Sequence, residues 1–291
     1  MKKEQKNFEK SRKYQKGNLR FAVIGHVEWM NFLEVDSLPK AGIICHSKRS
    51  LEMPAGGGGV IAKTLREITT SDIHFFTSLG NDFYGIQTKE IFEKMGINLH
   101  IAWRNSSTRK GFSLVDKSGE RSITIVGERL APSSKDNLNW ELLKGMDGVF
   151  ITAGDEEIFK KSRSCPTLCT TPRVGIKTIN ESKVFIDALI GSNLDPDEIF
   201  SLSDLINIPK FIIKTEGKDG GILLPGGRFK AVDNDISIID SYGCGDSFAA
   251  GILFGLASKW NIEKTVKLGT VLGSNCIGNF GPYANIQNIF K

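Results

Sequence analysis

Four short apolar runs, each closing on small or polar residues, constrain this chain more than any other feature. They are Phe21-Ala22-Val23-Ile24-Gly25, Val149-Phe150-Ile151-Thr152, Val184-Phe185-Ile186-Asp187-Ala188-Leu189 and Phe211-Ile212-Ile213-Lys214-Thr215. Near-continuous apolar runs of this length suit strands covered on both faces, as in parallel sheets. Between them, 60–68 carries Ile61, Leu65 and Ile68 at helical spacing, and 85–95 carries Ile86, Ile91, Phe92 and Met95. Strands alternating with helices predict an α/β fold, a mostly parallel sheet with helices on both faces. Such sheets collect ligands beyond the carboxyl ends of their strands.

One region breaks the alternation. Residues 110–115 and 121–126 read as two strands around a tight turn at 116–120, and 31–53 is also strand-like around Pro39-Lys40-Ala41-Gly42. Together these predict a small antiparallel β lid, with strands from about 31–53 and 97–126. No internal repeat or low-complexity linker interrupts the body.

The 291 residues accommodate one large α/β domain with an accessory piece. The net charge of +5 resides in residues 1–17, which hold seven Lys or Arg against two Glu and leave 31 basic and 31 acidic residues elsewhere. We therefore read 1–17 as a flexible basic tail and 18–291 as the folded domain, electrically balanced and unsuited to nucleic acid. The uncharged stretch Leu268 to Phe290 includes Asn275, Asn279, Gln287 and Pro282, so a buried helix running into a loop is expected, not a membrane span. The N-terminus lacks the apolar core of a signal peptide, and a cytoplasmic location is the expectation. Five cysteines without zinc-type spacing read as free thiols.

The most specific stretch is Asp240 to Ala257, DSYGCGDSFAAGILFGLA. Residues 247–258 suit a buried helix, with Asp246 in its first turn. Gly243-Cys244-Gly245 then delivers backbone N–H groups to a helix N-terminus, a physical site for a phosphate. Glycines permit positive φ there and let a ligand approach the main chain. A carboxylate beside such a site has a purpose in phosphoryl transfer: it accepts the proton of the attacking hydroxyl while the helix start stabilises the moving group. An N-capping aspartate after a glycine turn fits the same residues, and the local pattern alone does not choose between them.

This stretch resembles the C-terminal signature of the ribokinase, or PfkB-type carbohydrate kinase, family, Asp-Thr-x-Gly-Ala-Gly-Asp-x-Phe. Only Ser241 and Cys244 depart, and both side chains stay small. Pro54 to Ala62, with its four consecutive glycines, is similar to the family's N-terminal glycine-rich segment, and Ser78 to Gly85 to its Gly-x-Asp-x-x-Gly element. Lys214 to Gly220 resembles its nucleotide-binding strand end, and Gly119-Glu120-Arg121 falls where it has a lid hairpin.

The resemblance implies a ribokinase-like three-layer α/β/α fold and an ATP-dependent kinase acting on a hydroxyl of a sugar, nucleoside or polyol. ATP and Mg2+ are the implied cofactors, K+ an allowed activator, and a homodimer through the lid an allowed assembly. By the same resemblance Asp246 is the catalytic base, and Gly243, Cys244 and Gly245 form the anion hole. Thr215, Gly217, Gly220, Thr270, Gly281 and Asn193 would serve the nucleotide, and Asp240 would help hold a monovalent cation. Glu28, Trp29, Met30, Gly57 and Gly58, together with Asp246, fall at the acceptor, and Arg173 is a further candidate there.

The acceptor side departs from the pattern. Met30 stands where many sugar kinases carry Asp, and Val60 where they carry Asn. A site lacking both polar anchors would bury the hydroxyls of an ordinary sugar without partners. The family's Asn-x-x-Glu is altered as well, with Asn193 and Asp195 as substitutes. The alternative is therefore a catalytically weak member acting as a ligand-binding regulator. An oxidoreductase is a poor fit because the glycines at 56–59 do not directly follow an apolar strand, and Gly217-Lys218-Asp219 lacks the Ser or Thr of a P-loop.

Overall fold

A computed structural model describes residues 19–232 and 236–283, so the basic tail at 1–17 lies outside the described residues. The strands are β1 (Arg20–Ile24), β2 (Glu28–Glu34), β3 (Arg49–Ala55), β4 (Asp72–Gly80), β5 (Asn98–Arg104), β6 (Lys110–Val115), β7 (Arg121–Val126), β8 (Gly148–Ile151), β9 (Thr167–Thr170), β10 (Ala188–Ser192), β11 (Phe211–Thr215), β12 (Gly221–Leu224) and β13 (Gly227–Phe229). The α-helices are α1 (Gly57–Ile68), α2 (Phe83–Lys94), α3 (Glu156–Ser162), α4 (Ile176–Ser182), α5 (Cys244–Ala257) and α6 (Ile262–Cys276).

The main sheet has nine strands in the order β13-β12-β11-β10-β9-β8-β1-β4-β5. Every pair from β5 across to β11 is parallel, and β12 and β13 close one edge antiparallel. Strand β1 shows why the sheet is covered twice. Phe21 and Val23 enter the core under α1 and α5, while Ala22 and Ile24 enter the core under α3. The period of two carries successive apolar residues to opposite faces, so a fully apolar strand demands a layer on each side.

The expected first, second and fourth runs are strands within a residue of their predicted ends. The third differs: 184–187 precede β10, which starts at Ala188 and runs on to Ser192. The backbone pairing already begins at Asp187, whose N–H donates to Leu168 O at 2.8 Å and whose carbonyl accepts from Phe211 N at 3.0 Å, while its carboxylate accepts from Leu168 N and Arg163 Nη1, both at 2.8 Å.

The lid is a second sheet in the order β3-β2-β6-β7. Its outer pairs are antiparallel and its central pair, β2 with β6, is parallel. Residues 98–104, expected in the lid, instead form β5 on the edge of the main sheet, paired with β4. The lid is therefore built from 28–34, 49–55 and 110–126. Its inner face carries Met30, Phe32, Ala55 and Val115, which pack on Val60 of α1 and on Tyr242 and Phe280.

Helix α5 packs between the main sheet and α6, and ten of its fourteen residues are buried. Its contact with α6 runs through glycines: a Cβ on Gly251 would lie 2.8 Å from Gly269 Cα. Backbones this close leave no room for a side chain, and overpacking of this kind costs about 1–3 kcal/mol. Gly251→Val is expected to lower the melting temperature by several degrees, read by thermal unfolding, whereas Gly245→Ala, in open space, should lower it far less.

Candidate active site

The sheet reverses its direction of winding at β1, whose neighbours are β4 on one side and β8 on the other. A crevice at the carboxyl ends of the strands is expected at that switch point. Gly25 and His26 leave β1 there, Thr152 leaves β8, Arg173 follows β9 and Asn193 follows β10. The first turn of α5 faces these loop ends.

Gly243 caps α5 with φ of 78°, and a Cβ on it would lie 2.7 Å from Pro282 O. Both constraints require glycine. The first bond closing the helix runs from Ser247 N to Gly243 O at 2.8 Å, which leaves the N–H groups of Cys244, Gly245 and Asp246 without intrahelical acceptors. Nothing lies within 4 Å of a Cβ built on Gly245, so the loop opens onto empty space. The Cys244 thiol is pushed well above its ordinary range by its contact with Cys276 and by burial, which favours the protonated thiol.

Asp246 points across to α1. A Cβ on Gly57 would sit 2.9 Å from Asp246 Oδ1, so the glycine at this position makes room for the carboxylate. Burial raises the Asp246 pKa from 3.8 to about 6; Arg173 and Arg121 pull it down, and Glu198 and Glu28 push it up. These charged groups mark the walls of the site.

The wall toward the lid is a hydrogen-bonded set. Tyr242 donates to Glu28 Oε1 at 3.2 Å and accepts from Gly56 N at 3.2 Å. Burial, with the Glu28 and Asp246 carboxylates nearby, keeps the Tyr242 phenol protonated. Arg109 Nε lies 3.3 Å from Glu28 Oε2. The wall toward β8 holds Arg129, whose Nη2 meets His26 Nδ1 at 2.8 Å and donates to Thr152 O at 3.1 Å. Burial and the guanidinium groups of Arg129, Arg109 and Arg173 hold His26 well below its ordinary range, so it is neutral and accepts from Arg129 through Nδ1.

Of the acceptor residues expected from the sequence, Glu28 and Gly57 are in this site. Trp29 is not: β2 turns it to the outer face of the lid, where its ring packs on Tyr84 at 5.5 Å and its indole N–H donates to Glu52. Met30 is fully buried in the lid core, with Val60 beside it, and packs against Gly111. Gly58 is a packing glycine, since a Cβ there would lie 2.9 Å from both His26 O and Phe75. The apolar residues at 30 and 60 thus form one closed core contact and leave no surface for a ligand.

On the nucleotide side Thr215, Gly217, Gly220 and Asn193 come together. Asn193 donates to Glu216 Oε1 at 2.8 Å, Asn193 N donates to Thr215 O at 2.9 Å, and Gly217 and Gly220 have φ of 59° and 84°. Thr270 is half-buried on α6, its hydroxyl donating to Lys267 O. Gly281 is displaced from the expected pocket wall: it is buried against Leu51 of the lid, and its N–H donates to Asp240 Oδ2 at 3.1 Å. The other Asp240 oxygen accepts from Tyr242 N at 2.9 Å, so its side chain staples the anion loop to the C-terminal segment. Among the described residues no group of three or more His, Cys, Asp or Glu could hold a metal ion.

Sequence reasoning missed Glu198, Thr152, Tyr242, Arg109 and Arg129. Glu198 was within reach, since it ends the Asn193–Glu198 stretch; its Oε2 accepts from Ser192 N at 2.6 Å and its Oε1 pairs with Arg173 Nε at 2.5 Å. Asp195 is occupied by Arg173 as well. The arginines arrive from loops after β5, β7 and β9, and no spacing ties them to Asp246.

Residues 178–289 match the model of the pfkB family carbohydrate kinases. A ribokinase of Dictyostelium discoideum is 25% identical, over 86% of this chain and 92% of its own. An ATP-dependent ribose-1-phosphate kinase of Halopiger xanaduensis is 22% identical, over 90% of this chain and 93% of its own. The structure of Arabidopsis thaliana ribokinase complexed with ribose and ATP superimposes with a TM-score of 0.69 at 17% identity, over 91% of this chain and 94% of that one. Fold and crevice thus define a ribokinase-like α/β protein. Its C-terminal part, residues 178–289, is similar to the PfkB carbohydrate kinases, and the chain as a whole shares the fold of ribokinase.

The raised Asp246 pKa has a consequence for stability. The folded state holds this proton more tightly than the unfolded chain, so ionising Asp246 costs stability as pH rises from about 4 through about 6. Asp246→Asn removes that cost. The variant is expected to melt above the parent at pH 8, with the difference shrinking as pH is lowered toward about 4.

Proposed function

We propose that the protein is an ATP-dependent kinase that transfers the γ-phosphoryl group to a hydroxyl of a small acceptor, with Asp246 as general base. The observation that carries this reading is the juxtaposition of Asp246 with the open, glycine-lined start of α5. An acceptor hydroxyl at Asp246 gives up its proton to the carboxylate as its oxygen attacks. The N–H groups of Cys244, Gly245 and Asp246 stabilise charge on the transferring group. A pKa of about 6 suits the task, because the carboxylate is ionised near neutral pH yet basic enough to draw the proton.

The nucleotide belongs at the carboxyl ends of β10 and β11, over Asn193, Thr215, Gly217 and Gly220. Magnesium fits as an ion carried with the triphosphate, with Glu198 the carboxylate that would order its water ligands, and it would neutralise the phosphate charge. Arg121 belongs to the same machinery: it reaches from β7 of the lid to donate to Ser241 beside the anion loop, which couples lid position to the loop. The lid's outer face exposes Phe112 and Val126, consistent with a homodimer formed through it.

The regulatory alternative keeps the altered Asn193–Glu198 stretch as its motive but draws no support from the lid. Met30 and Val60 close the lid core, so their apolar character says nothing against catalysis at Asp246.

Asp246→Asn is expected to lower kcat by about 1,000-fold or more while the dissociation constant for ATP changes less than about threefold. Normal turnover in that variant would sink the base assignment. In the parent, kcat/KM should fall about tenfold per unit below pH 6, where Asp246 takes up its proton. ADP release across a panel of acceptors with Mg2+ provides the measurement.

A further inference from the structure

His26 leaves β1 at the point where the sheet reverses its winding, and the kinase reading above gives it no task. Its ring is buried, and burial together with the guanidinium groups of Arg129, Arg109 and Arg173 keeps it neutral. A neutral imidazole has one N–H and one lone pair, so its tautomer decides which nitrogen can donate. Arginine only donates. The 2.8 Å contact of Arg129 Nη2 with His26 Nδ1 therefore makes Nδ1 the acceptor and places the ring proton on Nε2. Arg129 is itself anchored: Nη2 also donates to Thr152 O at 3.1 Å, Nη1 to Arg173 O at 3.4 Å, and the Glu28 and Asp246 carboxylates act on its charge. A fixed cation thus dictates the tautomer of His26.

The Nε2–H that results is unused. Among the described residues the one hydrogen bond of the ring is that to Arg129. The sealed side-chain atoms without a partner include Thr152 Oγ1 and the Nε atoms of Arg109 and Arg129 but not His26 Nε2, which therefore keeps an opening. The floor beneath that opening is the start of α1. A Cβ on Gly56 would lie 3.3 Å from both His26 Cδ2 and Nε2, and a Cβ on Gly57 would lie 2.9 Å from Asp246 Oδ1. Two consecutive glycines, with Cα atoms about 3.8 Å apart, therefore carry the imidazole donor and the carboxylate over neighbouring points, with no side chain of their own between them. One small molecule can reach both.

We propose that His26 is an acceptor-binding residue, whose Nε2–H donates to a second oxygen of the acceptor while the reacting hydroxyl meets Asp246, and that Arg129 is a positioning residue that holds His26 in the donating tautomer. This rests on the kinase reading above and names a determinant of its acceptor specificity. A compound with no oxygen to offer beside the reacting hydroxyl would leave the Nε2–H unpaired and bind poorly.

The test begins with NMR of protein carrying 15N-labelled histidine, without ATP. The chain has four histidines, and His26→Gln identifies the His26 resonances by their loss. The parent should show a protonated Nε2 and an unprotonated Nδ1, and Arg129→Met, which removes the donor and keeps the bulk, should convert this to a mixture of tautomers. Ribose, fructose, adenosine and glycerol are then titrated in turn, and at least one should move the His26 Nε2–H resonance while those of His46, His74 and His100 stay in place. For that probe, His26→Ala should weaken binding about tenfold. His26→Gln, whose amide reaches the Nε2 position, should bind within about threefold of the parent, whereas His26→Asn, whose amide reaches only the Nδ1 position, should behave as Ala does; ATP affinity should change less than about threefold throughout. A protonated Nδ1 in the parent, a His26 resonance that none of the four probes moves, or equal binding by Gln and Asn variants would overturn the proposal, and the last comparison stands even where His26→Ala fails to fold. ADP release is finally measured with the same probe. Binding through His26 without turnover would leave the acceptor contact standing and overturn the kinase reading, whereas turnover with an unchanged KM in His26→Asn would do the reverse.

Discussion

Helix α5 has almost no surface of its own, and the placement of the candidate active site follows from that. Its body is walled in by the main sheet on one side and by α6 on the other, with Gly251 against Gly269 allowing the two backbones to meet. Only the first turn emerges. The unbonded N–H groups of a helix start must find partners, and a ligand phosphate can supply them. The apolar burial that anchors α5 therefore also fixes, rigidly, the group of donors that would receive the transferred phosphoryl. Asp246 shares that turn and is desolvated by the same burial, so one packing arrangement accounts for both the open helix start and the raised pKa of Asp246.

The lid is tied to this turn by polar contacts as well as by its apolar core. Tyr242, adjacent to the capping Gly243, binds Glu28 of β2 and Gly56 at the start of α1, while Ser241 takes the Arg121 guanidinium from β7. Asp240 then fixes the loop from below through Tyr242 N and Gly281 N. Three consecutive residues, 240 to 242, thus join the loop to the C-terminal segment and to both halves of the lid. A lid displacement that broke the Tyr242–Glu28 bond would leave Glu28 with Arg109 alone and cost Tyr242 its acceptor, which couples lid position to the loop at 240–243.

What the sequence revealed and what it hid divide along the range of the interactions. Strands β1, β8 and β11 were legible because burial on both faces imposes an apolar run, and α5 because its glycine loop and apolar body are contiguous. The start of strand β10 is expected too early because Val184 and Phe185 extend the apolar pattern, whereas the partners that pair the backbone from Asp187 onward lie on β9 and β11. The same limit governs the site. Asp246 and its loop lie within one short segment. Arg109 and Arg129 reach the crevice only when β6 and β7 fold over β1 and β8, and no local pattern marks a loop arginine as destined for a crevice. Met30 and Val60 misled for a related reason: a position can lie on the acceptor side in the pattern and still be turned into the lid core by the alternation along β2.

The apolar lid core and the charged crevice wall are two parts of one arrangement. With Met30 and Val60 sealing the space under the lid, no side chain at either position can anchor neutral hydroxyls, and most of the polar groups that remain are charged: Glu28, Arg109, Arg129, Arg173 and Asp246. Each guanidinium lies in the field of a carboxylate: Arg173 pairs with Asp195 and Glu198, Arg109 pairs with Glu28, and Arg129 is acted on by Glu28 and Asp246. Charges held this way in a part-buried crevice stabilise one another only in this arrangement, so the lid that brings in Glu28 and Arg109 and the loops that bring in Arg129 and Arg173 must close together.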